Sequence, residues 1–432
     1  MSLVVVLAIA LAVVLGYVTK INIGLFAIAF AYVIDCFGLG LGPGAVIEMW
    51  PLKIFFVIFA VCLFYSFALV NGTLEKLAEH MLYRCRNVPW ILPYAVLVTA
   101  TLIAAMGAGY YTVLAFMAPL TLILCRRTGL DMVLGAMGAN YGALAGANFM
   151  SSQSGIIFRG LMTANGTSDT DAFLYSSVIF AATLIVPFLV ITAMLFLFGN
   201  HRNLNAAIAD TARPQPLDGR QRATLALTLT MMALVLLGPI LHLVMPGNAT
   251  VSYVNSKIDI GLIAGVFSVV ALLLKLGDER KAIASVPWST LIMICGMGML
   301  ISVAIKAGTI AVLATWLGSS IPPLLLPVVF GIVAAIMSLF SSTLGVVTPT
   351  LFPLVPALAG SLSVSPVLLF TAIVVGSQAT SISPFSSGGS LVLGSAPDDE
   401  TRSTLFTRLL FRAAPFGVVA AVLMNVVLTF ML

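Results

Sequence analysis

Charge is what this sequence has least of. Only 8% of its 432 residues are Asp, Glu, Lys or Arg, 61% are hydrophobic, and mean hydropathy is +1.14. A soluble domain carries about 25% charged residues, so that class is excluded. A net charge of +5 on so few cations makes no nucleic-acid surface. Metal and disulfide chemistry have no seat either. Cys36, Cys62, Cys85, Cys125 and Cys295 form no CxxC pair and cluster with none of the 3 histidines, so they read as small buried hydrophobes. Nucleophilic catalysis lacks a base, because no His, Lys or acid adjoins Ser151, Ser152, Ser386 or Ser387. No catalytic residue, resident metal or cofactor is therefore expected, and an intramembrane hydrolase is the lesser alternative.

Long apolar runs are abundant, most of them near the roughly 20 residues that cross a hydrocarbon core as a helix. Leu3 to Gly16 lacks a basic leader and reads as the first span. Others are expected near 20–38, 52–70, 129–163 and 172–199, then 223–243, 258–275, 288–306, 365–394 and 405–431. The second half also repeats the first. Asn22-Ile23-Gly24-Leu25 returns as Asp259-Ile260-Gly261-Leu262, Gly72-Thr73-Leu74 as Gly308-Thr309-Ile310, and Met150-Ser151-Ser152 as Phe385-Ser386-Ser387. All three pairs lie roughly 236 residues apart in the same order, a layout typical of secondary transporters.

Two further apolar segments, 88–125 and 321–359, are broken at Met106-Gly107-Ala108-Gly109 and at Ser341-Ser342-Thr343-Leu344-Gly345. Short arms joined at a small, polar break predict a re-entrant hairpin, its tip held in protein or beside a water-filled cavity. Five net crossings per half then invert the second half. On that count every Lys and Arg except Lys53, Arg159, Lys257 and Lys306 falls on one face, which the positive-inside rule makes cytoplasmic. The reading is an all-α integral membrane protein of about ten transmembrane helices plus two re-entrant hairpins in two inverted repeats. The repeats are 1–200 and 223–432, joined by a cytoplasmic linker, 201–222. The chain would be multi-pass in the inner (plasma) membrane with both termini outside. The amphipathic stretch Leu74 to Arg86 predicts an interfacial helix on the cytoplasmic face, and Trp316 in its counterpart an anchor on the outer face.

The chemistry is expected where the spans 129–163 and 365–394 break. Gly138, Gly142 and Gly146, spaced by four, let another backbone approach. Asn148, Ser151, Ser152, Gln153 and Ser154 follow them and are too polar for lipid. The counterpart run holds Ser377, Gln378, Thr380, Ser381, Ser383, Ser386, Ser387 and Ser390, with Pro384, Gly388 and Gly389 to stop the helix. A cut helix presents N–H groups on one side of the break and carbonyls on the other. Hydroxyls and N–H groups suit an anion, and carbonyls a small cation. The expected substrate-binding residues are Asn148, Ser151, Ser152, Ser341, Ser342, Thr343, Ser386, Ser387 and Gly388. Those expected at a cation are Gly107, Gly109, Thr112, Asn148, Ser341, Thr343 and Ser383. The tips and breaks hold no Asp, Glu or His. Neutral oxygens therefore favour Na+ over a proton as coupling ion. Asp35, the leading intramembrane acid, reads as a helix-end residue.

Three stretches carry a resemblance: the opening through Trp50-Pro51-Leu52-Lys53, Asn71-Gly72-Thr73-Leu74-Glu75-Lys76-Leu77-Ala78, and Ala104-Ala105-Met106-Gly107-Ala108-Gly109. They resemble the N-terminal region of MatC-type malonate/dicarboxylate carriers. The whole layout resembles the ion transporter superfamily, which includes the divalent anion:sodium symporters. The resemblance implies a dimeric elevator transporter in which hairpins and interrupted helices form a mobile transport domain. It also implies import of a dicarboxylate such as malonate or succinate, coupled to sodium. Those symporters carry Ser-Asn-Thr at both tips; here the second reads Ser341-Ser342-Thr343, and the first Gly107-Ala108-Gly109 followed by Tyr110 and Tyr111. The two tyrosines either shape the site or plug the packing. Arg159, four residues past Gly155, either meets a second carboxylate of the substrate or snorkels to the outer interface. The expected partners are a small anion, the bilayer and a second copy of the chain, with no nucleic acid. Alternatives are a proton-coupled, uniport or exchange carrier of another small anion.

Overall fold

A backbone that runs through twenty apolar positions at a time must satisfy its own hydrogen bonds, and the α-helix does so within one segment. A computed structural model describes residues 2–84, 91–198, 214–245, 247–339 and 341–431, and every regular element among them is helical. Among the described residues six helices are long and apolar enough to cross a membrane: Leu52–Val70, Asp169–Leu197, Gly219–Val244, Trp288–Lys306, Thr343–Leu362 and Asp399–Met431. Ala249–Lys257 and Ile260–Leu273 make a bent pair turning 63°. Ser2–Gly16, Ile23–Gly38 and Pro366–Ala379 are shorter apolar helices.

Three expectations need correction. The hairpin arms are not all short, since Tyr110–Thr128 spans 19 residues and Thr343–Leu362 spans 20. What sets the latter apart from a lipid-facing span is burial, with 72% of its apolar window inside protein. The amphipathic helix Thr73–Arg84 does not turn its apolar face to lipid. Leu74 and Ala78 are fully buried in a protein cluster with Leu92, Val96 and Val113. The helix expected from 223 starts at Gly219, because Asp218 and Gln221 form a reciprocal capping box ahead of it. Residues 85–90, with Cys85 and Arg86, and residues 201–213 of the linker lie outside the described residues.

One pair related by the sequence repeat sits in similar local structure. Asn22 accepts from the Gly24 N–H and Asp259 from the Leu262 N–H, each at 2.9 Å, and each caps its helix. Ile23–Val33 packs on Trp288–Lys306, and Leu52–Val70 packs on Ile260–Leu273. Each contact thus joins one half of the chain to the other. The first pair is tied at its end by Asn22 Nδ2, which donates to the Ser289 carbonyl at 2.8 Å. Elsewhere each hairpin lies on the broken helix of its own half. Leu92–Ile103 runs along Met132–Ala147, and Leu326–Ser338 along Pro366–Ala379. The spacing of Gly138, Gly142 and Gly146 has its reason here: a Cβ on each would meet the carbonyl oxygen of Pro93, Leu97 or Thr101.

Candidate functional site

The first hairpin tip is a π-helical turn, Ala104–Ala108, in which Gly107 takes φ 92°, and Gly109, next after it, takes φ 74°. Both are left-handed conformations that side chains resist. Space enforces the same choice, since a Cβ on Gly107 would enter the Tyr65 ring and one on Gly109 would meet the Gln153 amide. The tip is tied to the first break, 148–152. Ser152 Oγ donates to the Ala104 carbonyl at 2.6 Å, and Tyr65 Oη to the Ser151 carbonyl at 3.3 Å. The half-helix Gln153–Ala164 then begins at Ser152 with no side chain capping it.

The second tip turns through Ser341 and Ser342 into a π-helical turn, Thr343–Val347. Ser342 Oγ caps it, accepting from the Gly345 N–H at 3.3 Å, and Ser341 Oγ donates to the Met337 carbonyl at 2.6 Å. Across the second break, Ser386 caps the half-helix Ser387–Gly394 by accepting from the Gly389 N–H at 3.1 Å. Ser386 Oγ also reaches the carbonyls of Ser381, at 2.5 Å, and Ser383, at 2.8 Å.

One polar chain joins these parts. Tyr110 Oη donates to Asn140 Oδ1 at 2.6 Å, and Asn140 Nδ2 donates to Ser381 Oγ at 2.9 Å. Gly388 packs into this junction, where a Cβ would fall on Tyr110 Oη and close to Asn140 Oδ1. Tyr111 Oη lies 3.4 Å from Ser342 Oγ. The tyrosines therefore bridge the first hairpin to the second break and the second tip. Asn140 is the residue the sequence reading passed over. Its signal was a lone amide in an apolar helix, where an unpaired polar group is costly.

Among these groups lies a cavity of about 20 Å³. It is lined by Tyr110 and Tyr111, by Ser154 at the first half-helix, by Ser338 and Ser341 to Leu344, and by Gln378, Ser381 and Ser386 to Gly388. That volume is about one water's worth, so a larger occupant requires the walls to part. The structure gathers Ser341, Ser342, Thr343, Ser386, Ser387 and Gly388 here. Asn148, Ser151 and Ser152 do not line it. They are fully buried behind the first tip, with Asn148 Nδ2 donating to Thr183 Oγ1 at 3.0 Å. Asn148 Oδ1 and Ser151 Oγ have no hydrogen-bond partner among the described residues. Thr112 is partly buried beyond the first tip, and Ser383 is buried, its Oγ accepting from the Phe385 N–H at 3.3 Å.

Arg159 stands elsewhere, on a second cavity of about 780 Å³ between the half-helix Gln153–Ala164 and the helices that begin at Leu52 and end at Val244. Its guanidinium carbon lies 5.3 Å from the Phe173 ring centroid. Asp35 closes its helix in a π-helical turn, Ile34–Gly38, fully buried, with neither carboxylate oxygen hydrogen-bonded among the described residues.

Comparison with known proteins agrees with this architecture. Residues 1–147 match the family described as dicarboxylate carrier protein MatC N-terminus. That match takes in the first hairpin and stops at Ala147, one residue before the first break. No curated protein matches the chain. Among solved structures, the YdaH transporter of Alcanivorax borkumensis, described as having an unusual topology, is similar with a TM-score of 0.61 at 20% identity. The alignment covers 90% of this chain and 87% of that one. At that identity the likeness is one of fold.

Proposed function

We propose that this protein is a secondary carrier, not an enzyme, and that it moves a small dicarboxylate across a membrane with sodium. The observation that carries the site is the small cavity itself. Hydroxyl-bearing residues line it from both hairpins, from the second break and from the start of the half-helix after the first. With the N-terminus of Ser387–Gly394 beside them they offer the chemistry that holds an anion by fixed dipoles. The dianion would lie between Ser341, Ser342 and Thr343 on one side and Ser386, Ser387 and Gly388 on the other. Sodium would take unpaired oxygens behind the first tip, Asn148 Oδ1 and Ser151 Oγ, with tip carbonyls near Gly107 and Gly109. Ser341, Thr343, Ser383 and Thr112 would serve a cation at the second tip and on the first hairpin's outgoing arm.

The close contact of each hairpin with its broken helix, made at Gly138, Gly142 and Gly146 in the first half and where Gly376 meets the Gly331 backbone in the second, supports one mobile body. The cross-half pairs, Ile23–Val33 on Trp288–Lys306 and Leu52–Val70 on Ile260–Leu273, would form the frame it slides against. In this elevator reading 1–200 and 223–432 are inverted repeats, two such chains pair as a homodimer, and the face carrying Lys53 and Arg159 is external. Uptake of labelled malonate and succinate into proteoliposomes tests it. Accumulation should follow an inward sodium gradient at fixed pH, and Asn148→Ala should raise the sodium needed for half-maximal uptake. Folded protein that accumulates neither acid under any ion gradient would remove the reading.

One observation favours a second coupling mode. Asp35, buried with neither oxygen hydrogen-bonded among the described residues, is the kind of intramembrane acid that carries protons. Uptake driven by a proton gradient and abolished by Asp35→Asn would replace sodium with a proton.

A further inference from the structure

The cavity of about 780 Å³ plays no part in the site described above, yet its size lies within the ~300–1,000 Å³ of small-molecule sites. One element joins the two cavities. The half-helix Gln153–Ala164 sets Ser154 on the small cavity and Arg159 on the large one. Five residues separate them, about 7.5 Å along the axis. The guanidinium has no committed acceptor: among the described residues Arg159 forms no ion pair, and its buried Nε has no hydrogen-bond partner. Phe173 beneath it supplies an aromatic face and nothing that accepts a proton in plane.

We infer that this chamber is a waiting site for the dicarboxylate, in which Arg159 receives one carboxylate before the anion reaches the serine-lined cavity. The inference rests on the carrier reading and adds to it a residue that selects the anion. An Arg fork matches a carboxylate with two parallel N–H donors. Lys53, which also lines the chamber, adds a second cation. Asp169 and Asp259 also line the chamber, and Oδ1 of Asp259 is held by the Leu262 N–H at 2.9 Å. Their charge offsets the two cations. A transit site needs that balance, because an anion bound too tightly at the entrance would not move on. His242, whose Nδ1 lies 3.4 Å from Ser252 Oγ, completes the polar wall.

Two readouts test the inference, the second of them without transport. In proteoliposomes at saturating sodium, Arg159→Gln should raise the half-saturating succinate concentration roughly tenfold or more. The maximal rate should stay within about twofold, and Arg159→Lys should fall between. Unchanged half-saturation in Arg159→Gln would overturn the inference while wild-type uptake kept the carrier reading intact. The second readout needs no uptake. A cysteine at Thr163, on the chamber wall, should be alkylated by a maleimide more slowly in millimolar succinate. That protection should vanish when Arg159→Gln is added. Alkylation indifferent to succinate with Arg159 intact would equally overturn it.

Discussion

Single polar side chains in this protein act as joints between segments far apart in the chain. Asn71 shows this best, because it lies in the stretch that carries the MatC resemblance. Its Oδ1 accepts from the Thr73 N–H at 3.1 Å and from Thr73 Oγ1 at 2.5 Å. Its Nδ2 donates to Thr224 Oγ1 at 2.7 Å and to the Leu276 carbonyl at 3.0 Å. The motif therefore fixes the turn between Leu52–Val70 and Thr73–Arg84 and ties it to the second half of the chain. In the repeat Ala307 stands in its place and cannot do this. Asn71→Ala should cost roughly 2 kcal/mol, read as a lower unfolding temperature in detergent, while half-saturation for the anion stays put. A variant as stable as wild type would show the joint to be dispensable.

Helices pair here by backbone contact, so element-scale predictions concern small residues. Gly142 faces the Leu97 carbonyl, with Ala100 Cβ beside it. Gly142→Val should force the hairpin off its broken helix at a cost of about 1–3 kcal/mol. Loss of uptake should exceed that expected from instability alone, because the first tip shifts with the arm. Uptake and melting both unchanged would mean that the hairpin and the helix need not move as one body. The positions of the breaks were legible in sequence because Gly, Pro and Ser interrupt apolar runs where nothing else does. The arm lengths were not legible. Whether a twenty-residue apolar helix faces lipid or protein depends on neighbours brought from elsewhere, as with Thr343–Leu362. The site was half legible for a related reason. Polarity marked both breaks equally, but only the fold sends Ser152 to a tip carbonyl and Ser386 to the cavity wall. Nothing in the spacing of Tyr110, Asn140 and Ser381 announces that they form one hydrogen-bonded chain.

At the scale of the whole molecule, the sparse charges sort themselves. Asp131 binds Arg412 at 2.7 Å and lies 3.8 Å from Arg408, while Arg126 meets Asp398 at 3.2 Å. Each of these three pairs joins one half of the chain to the other, and all three cations belong to the cation-rich set read in sequence. Lys53 and Arg159, from the cation-poor set, share the large chamber instead. Among the described residues, no charged residue lines the serine-rich cavity. An anion held there must rely on hydroxyl and N–H dipoles. The measurement that bears most directly on this is the concentration dependence of labelled succinate uptake at saturating sodium, comparing wild type with Ser342→Ala plus Ser387→Ala. Ser387 is exposed and Ser342 half-buried, so the pair can be removed with little loss of packing. A half-saturating concentration raised roughly tenfold or more, from the loss of two charge-assisted hydrogen bonds, is the predicted result. An unchanged value in a folded, membrane-inserted variant would contradict the account and place the anion elsewhere.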